Sequence, residues 1–407
     1  LKNAFVNSAI YRAKSPGGYR GAVIAGKEWL RRVPDKPLTP ALIALVLATL
    51  FVVVRLFSVA NGDLGAFVDA GDLLSSGTSL PLEPGAGYDG QFYYRMAIEP
   101  LNFETTAAGV TIDSEQRLQR IGYPAIAWMV SLGGLLPVTL ALVLVNVLGL
   151  ALIAGLGGAF AQRSGRHAVW GLAFALYYGF AFTLSKDLTE IVEVSFLLLG
   201  LLAASKQRFV LAAVAFSGAV LTRESAMFLV PAVAAWRLYA MVRKRERPST
   251  IDLTWIVPPL AFGLWQLVLR AERGRFPITA ERANTVNVPG RPLIRAWPEL
   301  VEELTIRSVV HLAEVVVLVA IIVFALVCLR KSEAAPLEKA VFVGLAIACL
   351  SVDVREKIWT IRSLRMFSDA YVLAMVVLFS ARRRLGYALG SVGAVSVTTY
   401  GYFIFNL

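Results

Sequence analysis

RIGYPAIAWMVSLGGLLP, Arg120–Pro137, is the segment on which the topology of this chain turns. Counted as a membrane span, it would place the basic loop Gln162–His167 on the outer side, against the positive-inside rule. Its apolar part, Ile121–Gly134, has about 14 residues where a crossing needs roughly 20. It is therefore expected to be a short helix that dips into the outer leaflet and returns. With that assignment the other apolar runs alternate in order. Leu38 to about Ala60 runs outward. Inward runs are expected at about Val138–Ala161, Glu190–Ser205, Ser225–Val242, Val309–Leu329 and Met366–Ala381. Outward runs fall at about Ala168–Leu184, Phe209–Thr222, Leu253–Leu269, Ala340–Val352 and Tyr387–Asn406. The basic loops Lys206–Arg208, Arg243–Arg247, Arg330 with Lys331, and Arg382–Arg384 then all face the cytoplasm.

Composition agrees with this picture. Of 407 residues, 57% are hydrophobic and only 17% charged, and the mean hydropathy is +0.65, beyond what a soluble domain carries. The expected fold class is all-α, a polytopic transmembrane helical bundle of about eleven spans with the N-terminus inside and the C-terminus outside. The expected localisation is the plasma membrane. The net charge of +12 lies between the apolar runs, so it is assigned to topology and lipid contact and not to nucleic acid. Cys328 and Cys349 lie in apolar runs, and His167 and His311 stand far apart, so neither a disulfide framework nor a His/Cys metal site is indicated.

Residues 1–37 form a basic segment assigned to the cytosol, in which Gly21–Arg32 has the mixed character of an interfacial helix. Residues 38–407 are read as one transmembrane domain. Within it, 61–137 is an external loop with interfacial helices and 270–307 is a cationic external loop containing Arg273, Arg275, Arg282, Arg291 and Arg295. A first loop so long is expected to be functional.

The densest polar chemistry of that loop is GYDGQFYYRMAIEP, Gly87–Pro100. Asp89 is the candidate catalytic carboxylate, a base for a hydroxyl that attacks at the membrane surface. Capping the helix that begins near Gln91 is its structural alternative. Tyr88, Gln91, Tyr93 and Tyr94 offer polar tips and flat faces to a sugar ring or an isoprenoid chain. Asp69 and Asp72 are expected on one helix face, directed to water. Asp113 is expected to cap the helix bearing Arg117 and Arg120.

Several runs are too short to cross on their own. Lys206–Arg243 holds two helices joined at Thr222, Arg223 and Glu224, each reaching only about 23 Å against a hydrocarbon core of roughly 30 Å. Their turn must lie below the surface, where charge needs water or protein partners. Asp187, Glu190 and Glu193 recur every third residue at the end of another short run. A polar cavity beneath the long loop is expected, with Glu190, Glu193 and Glu224 facing substrate. Arg223, Arg362, Arg365 and Arg120 are the candidates for an anionic leaving group. For Arg223 the alternative is an ion pair with Glu190 or Glu193.

GYDGQFYYRMAIEP, followed by RLQRIGYPAIAW, resembles the first-loop signature of GT-C type membrane glycosyltransferases. VLTRESAMFLVPA, beginning at Val220, resembles another recurrent element of them. In outline the chain is similar to the second mannosyltransferase of GPI-anchor synthesis and its bacterial relatives. The resemblance implies a GT-C helical bundle with its active site on the external face. It implies an inverting transferase with Asp89 as catalytic carboxylate, a polyprenyl-phosphate sugar as donor, and a glycan, glycolipid or protein as acceptor. The sugar would be mannose or another, such as a pentose, and no metal or other cofactor is expected. Rival readings are a flippase of lipid-linked sugars and a catalytically silent envelope scaffold.

Overall fold

The computed structural model describes residues 33–279, 284–302, 305–354 and 364–381. The N-terminal segment up to residue 32, Arg282, Arg362, the basic loop Arg382–Arg384 and the run Tyr387–Asn406 lie outside them. The described residues are mostly helical, and five helices are long and apolar enough to cross a membrane: Leu38–Ser58, Val138–Arg163, Glu224–Arg243, Thr250–Arg273 and Ser308–Cys328. A sixth is added if Ala168–Ala175 and Tyr178–Ser185, bent by 61° at their junction, count as one broken span.

Helix α1 (Leu38–Ser58) shows how the bundle sorts its residues. Leu42, Val46, Leu50, Val53 and Phe57 are exposed along one stripe, whereas Ala44, Ala48, Phe51, Val52 and Arg55 are buried on the other. An apolar stripe left exposed on an apolar helix faces lipid, and the small Ala44 and Ala48 allow a close approach to a neighbour.

Two further helices stand in the loop after α1, α2 (Gly90–Ile98) and α3 (Gly122–Val130). The neighbour of α1 is α4 (Val138–Arg163). The broken pair is α5 (Leu172–Ala175) and α6 (Tyr178–Ser185), followed by α7 (Glu190–Ser205), α8 (Phe209–Thr222), α9 (Leu229–Arg243) and α10 (Leu253–Arg273). Helix α7 packs against both α4 and α8, and α8 against α10. After α10 come α11 (Arg291–Glu302), α12 (Ile306–Cys328), α13 (Pro336–Ser351) and α14 (Ser368–Phe379). Helices α7, α8, α13 and α14 are shorter than the roughly 20 residues of a simple crossing. Helix α14 is buried along its whole length, as expected for a helix that is apolar all round.

The loop after α1 is not structureless. Strand β1 (Ala70–Gly71) pairs in parallel with β2 (Leu82–Glu83), and β3 (Thr106–Ala107) forms a hairpin with β4 (Val110–Thr111) through Ala108 and Gly109, both at positive φ, the conformation that a tight hairpin turn demands. A third pair joins β5 (Asn284–Val286) to β6 (Val352–Val354). The nine residues of α3 are too few to cross, so Arg120–Pro137 is a short helix followed by a turn.

Two local expectations are corrected. Asp69 and Asp72 do not share a helix: Asp69 sits at φ 56 just before β1, and Asp72 accepts a hydrogen bond from the Gly85 amide at 2.8 Å. The cap of the 3₁₀ turn Glu115–Gln119 is Ser114, whose hydroxyl accepts from the Gln116 amide, while Asp113 pairs with Arg117 one turn on. A serine hydroxyl in extended backbone reaches the free amides of a turn as well as a carboxylate does.

Candidate functional site

Asp89 stands at the first turn of α2, yet its side chain makes no cap hydrogen bond. The carboxylate turns instead to three arginines. Arg117 lies at 2.8 Å, Arg365 at 3.3 Å and Arg120 at 3.7 Å, and the Asp89 side chain keeps 15% of its surface exposed. Burial opposes the ionised form, but Arg117, Arg365 and Arg120 outweigh it and hold the Asp89 carboxyl below the usual carboxylate range.

Close backbone approaches bring these groups together. A side chain on Gly90 would meet the carbonyl oxygens of Lys186 and Val68 at 2.5 Å, so α2 begins directly against the turn between α6 and α7. A side chain on Gly122 would lie 2.3 Å from the Thr222 hydroxyl, so α3 begins against the break between α8 and α9. Only glycine permits either contact. Together they place the first loop against the Arg223–Glu224 turn.

That turn is held by protein partners. Glu224 takes Arg120 in a two-pronged pair, one arm at 2.5 Å and the other at 2.8 Å, and Arg120 also donates to the Tyr93 hydroxyl at 3.1 Å. Arg223 is 3% exposed and lies 3.4 Å from Glu193 and 3.7 Å from Glu190. Glu193 also accepts from Ser225, and Glu190 from Thr183 and from Arg365. Arg117, Arg120, Arg223 and Arg365 thus stand against Asp89, Asp113, Glu190, Glu193 and Glu224, four basic groups against five acidic ones. Among the described residues no three His, Cys, Asp or Glu side chains are grouped as metal ligands; these carboxylates converge on arginines.

The candidate residues therefore divide. Asp89, Arg120, Arg223, Arg365, Glu190, Glu193 and Glu224 come together in one network, with Glu190 and Glu193 fully buried. Arg362 lies outside the described residues. Of the residues expected to meet substrate, Tyr88 lines a cavity, whereas Tyr93 and Tyr94 are buried among the core. Gln91 is also buried: its amide donates to the carbonyls of Ala86 and Tyr88, and its oxygen accepts from Ser75 and the Gly71 amide. It holds the loop shape that presents Tyr88 and Asp89. In the cationic loop, Arg273 and Arg275 both reach Glu115, and Arg273 also binds the Phe103 carbonyl, so this loop is clasped to the first one.

No protein-family model matches the chain, and no curated protein matches it either.

Two charged residues near the site, Arg55 and Lys186, were passed over in the sequence, and a third, Asp187, was noted only for its spacing from Glu190 and Glu193. Arg55 is the one charge inside α1 and is 4% exposed, and a lone arginine in an apolar run is itself a signal. Lys186 pairs with Asp69 at 2.8 Å. Asp187, the residue after the Gly90 contact, is fully buried at φ 47, with both carboxylate oxygens lacking a hydrogen-bond partner among the described residues. Burial pushes its pKa well up, an effect that the nearby Asn146 amide offsets in part.

Two cavities flank the network. One of about 1000 Å³ lies between residues 99–104, α3 and the end of α10, with Trp128 and Phe103 among its lining and Glu99, Glu104 and Glu272 as its carboxylates. The other, of about 530 Å³, lies between the end of α1, residues 81–88 and Lys186.

Proposed function

We propose that this protein is an inverting GT-C type glycosyltransferase that takes a sugar from a polyprenyl-phosphate donor and passes it to a glycan, glycolipid or protein at the outer face of the plasma membrane. On this reading the chain crosses eleven times, with the Asp89 loop outside. The acceptor oxygen attacks the anomeric carbon as the bond from that carbon to the donor's phosphate oxygen breaks. The hydroxyl proton passes to Asp89, and polyprenyl phosphate leaves with the electron pair.

The observation that carries the reading is the Asp89 carboxylate itself. It is not engaged as a helix cap, it is partly exposed, and three arginines hold it ionised at one end of the bundle. A carboxylate with a depressed pKa is a weak base. It suits a step in which the proton moves late, after positive charge has built up at the anomeric carbon, and its negative charge stabilises that build-up. The clasp between the two loops supports the reading as a way to exclude water from the reacting centre.

The test compares wild type with Asp89→Asn in liposomes, following label from a panel of polyprenyl-phosphate sugars into envelope glycolipids. Asparagine keeps the shape but cannot take the proton. The expected result is transfer by wild type and a loss of about 10²–10⁴-fold in a folded variant. Equal transfer by both would remove Asp89 from the chemistry. Passage of donor across the bilayer without transfer would replace the enzyme with a flippase.

A further inference from the structure

We infer that the cavity between residues 99–104, α3 and the end of α10 holds an uncharged sugar ring of a membrane glycolipid, with Trp128 and Phe103 as its flat walls. That this glycolipid is the acceptor of a transferred sugar rests on the reading above.

The walls are fixed by the protein itself. Across residues 99–104 the Asn102 side chain donates to the Glu99 carboxylate at 2.5 Å and accepts from the Glu104 backbone amide at 3.0 Å. Arg273 donates to the Phe103 carbonyl and Arg95 to the Glu104 carbonyl, so the segment is fastened to both α10 and α2. The Phe103 ring meets Trp265 of α10 at 6.0 Å, and Gly133 packs against the Trp128 indole, where an added side chain would lie 3.6 Å away. Trp128 nevertheless keeps 40% of its surface exposed. Two aromatic side chains held in place offer flat apolar surface to the C–H faces of a sugar ring at little cost in ordering.

The polar groups decide the class of ligand. Glu99, Glu104 and Glu272 stand exposed on the lining. Arg273 lines the same cavity with its Nε unbonded among the described residues. Arg95, 1% exposed behind the Glu104 carbonyl, has an Nε and an Nη1 that likewise lack a hydrogen-bond partner among them. An anion here would meet carboxylates, and a cation would meet guanidinium groups. An uncharged ligand rich in hydroxyls meets neither penalty, because each hydroxyl can donate to a carboxylate and accept from an arginine, directly or through water. Size and placement agree. About 1000 Å³ is the upper end of the roughly 300–1,000 Å³ of small-molecule sites, which leaves room for more than one ring. The lining starts at Ile121, next to the Arg120 that lies 3.7 Å from Asp89, and reaches Glu99, about 15 Å from Asp89 by the rise of α2. A ring at Trp128 therefore stands beside the network and not at the reacting hydroxyl, as suits an inner sugar of the acceptor. The tail also has its place: Leu101 and Met129 line the cavity and are themselves exposed, and Leu132 and Leu135 continue that apolar surface beyond α3.

The test uses the purified full chain in nanodiscs, with empty nanodiscs as the blank, and submicellar probes that share one tail: dodecyl glucoside, mannoside, galactoside and maltoside, dodecyl phosphate, and dodecyltrimethylammonium. The free sugars are the tail-less controls. At least one glycoside is expected to bind saturably, more tightly than either charged probe and than its free sugar. Its affinity is expected to fall about tenfold in Trp128→Ala and to be largely kept in Trp128→Phe. Glu104→Ala combined with Glu272→Ala, at two exposed positions, is expected to weaken it several-fold with Tm unchanged, a loss that misfolding cannot produce. No saturable glycoside binding, or binding unchanged in both Trp128→Ala and the double variant, would overturn the site. Either charged probe bound more tightly than every glycoside would overturn the uncharged ligand, and a free sugar bound as tightly as its glycoside would overturn the lipid. If a glycoside binds through Trp128 while no sugar is transferred, the enzyme reading fails and this site stands. If sugar is transferred and the KM for glycolipid acceptor is the same in Trp128→Ala, the assignment of this cavity to the acceptor fails and the enzyme reading stands.

Discussion

Replacing Asp187 with asparagine is expected to stabilise the protein at neutral pH and to leave it less stable than wild type near pH 4. The residue is fully buried with neither carboxylate oxygen bonded among the described residues, and burial raises its pKa well above the ordinary value. An acid with a raised pKa keeps its proton in the folded state while its unfolded counterpart ionises above about 3.9. Folding stability is therefore lost as pH rises, at about 1.4 kcal/mol per pH unit for as long as the folded group stays protonated. Between pH 4 and pH 7 this reaches up to about 4 kcal/mol. Asparagine carries no such linkage, tolerates φ 47 better than most residues, and presents an amide toward Asn146, whose own oxygen is unpaired among the described residues. An imperfectly bonded amide returns about 1–3 kcal/mol of the gain, so the net stabilisation at pH 7 is expected near 1–3 kcal/mol. Thermal unfolding of both proteins in the same detergent, followed by tryptophan fluorescence from pH 4 to pH 8, reads the difference directly. The Tm of the variant relative to wild type should rise with pH, from below it near pH 4 to above it at pH 7. A gap that is constant across this range, or a variant less stable at pH 7, would mean that Asp187 is ionised and partnered, and the reasoning would fail.

Three further outcomes follow from the network. Because the arginines depress the pKa of Asp89, its charge adds stability above the ordinary carboxylate value of about 3.9, and that contribution is lost as pH falls through the lower folded value. The transfer rate should then be flat from pH 5 to pH 8, and an acidic limb above pH 5 assigned to Asp89 would contradict the geometry. Gly122→Val drives a side chain into Thr222 from 2.3 Å and is expected to cost about 1–3 kcal/mol by overpacking, seen as a lower Tm together with reduced transfer, since Arg120, just before α3, pairs with Glu224 just after Thr222. Gln91→Ala leaves the Ala86 carbonyl without its side-chain donor and the Ser75 hydroxyl and Gly71 amide without their acceptor and should destabilise by about 1–3 kcal/mol, with faster proteolysis at residues 84–89; an unchanged cleavage pattern would show that another contact holds the loop.

Much of the candidate site was legible as residue types and little of it as partnerships. Asp89 stood out as an acid set among glycines in an aromatic loop, with a helix cap as the alternative, and the break between two short helices at Arg223 and Glu224 follows from helix length alone. The pairing did not follow. Arg120 meets Glu224 across 104 positions and Arg365 meets Asp89 across 276, separations over which no local periodicity operates. Tyr93, Tyr94 and Gln91 show the same limit in reverse, because polar tips in a loop read as ligand contacts until the packing above them is known.

What the sequence by itself determined is the membrane character, the short helix after Arg120, the broken helices at Thr222 and the concentration of charge at one end. Each depends only on the count of apolar residues against a bilayer of given thickness, or on the spacing of residues along one helix. What only the tertiary structure decided is that the four arginines are each held by carboxylates, most of them from distant segments, that Arg55 and Lys186 face a common cavity, and that Asp187 is sealed off. Electrostatic energy depends on distance through space and on exclusion of water, and both are set when distant segments pack together.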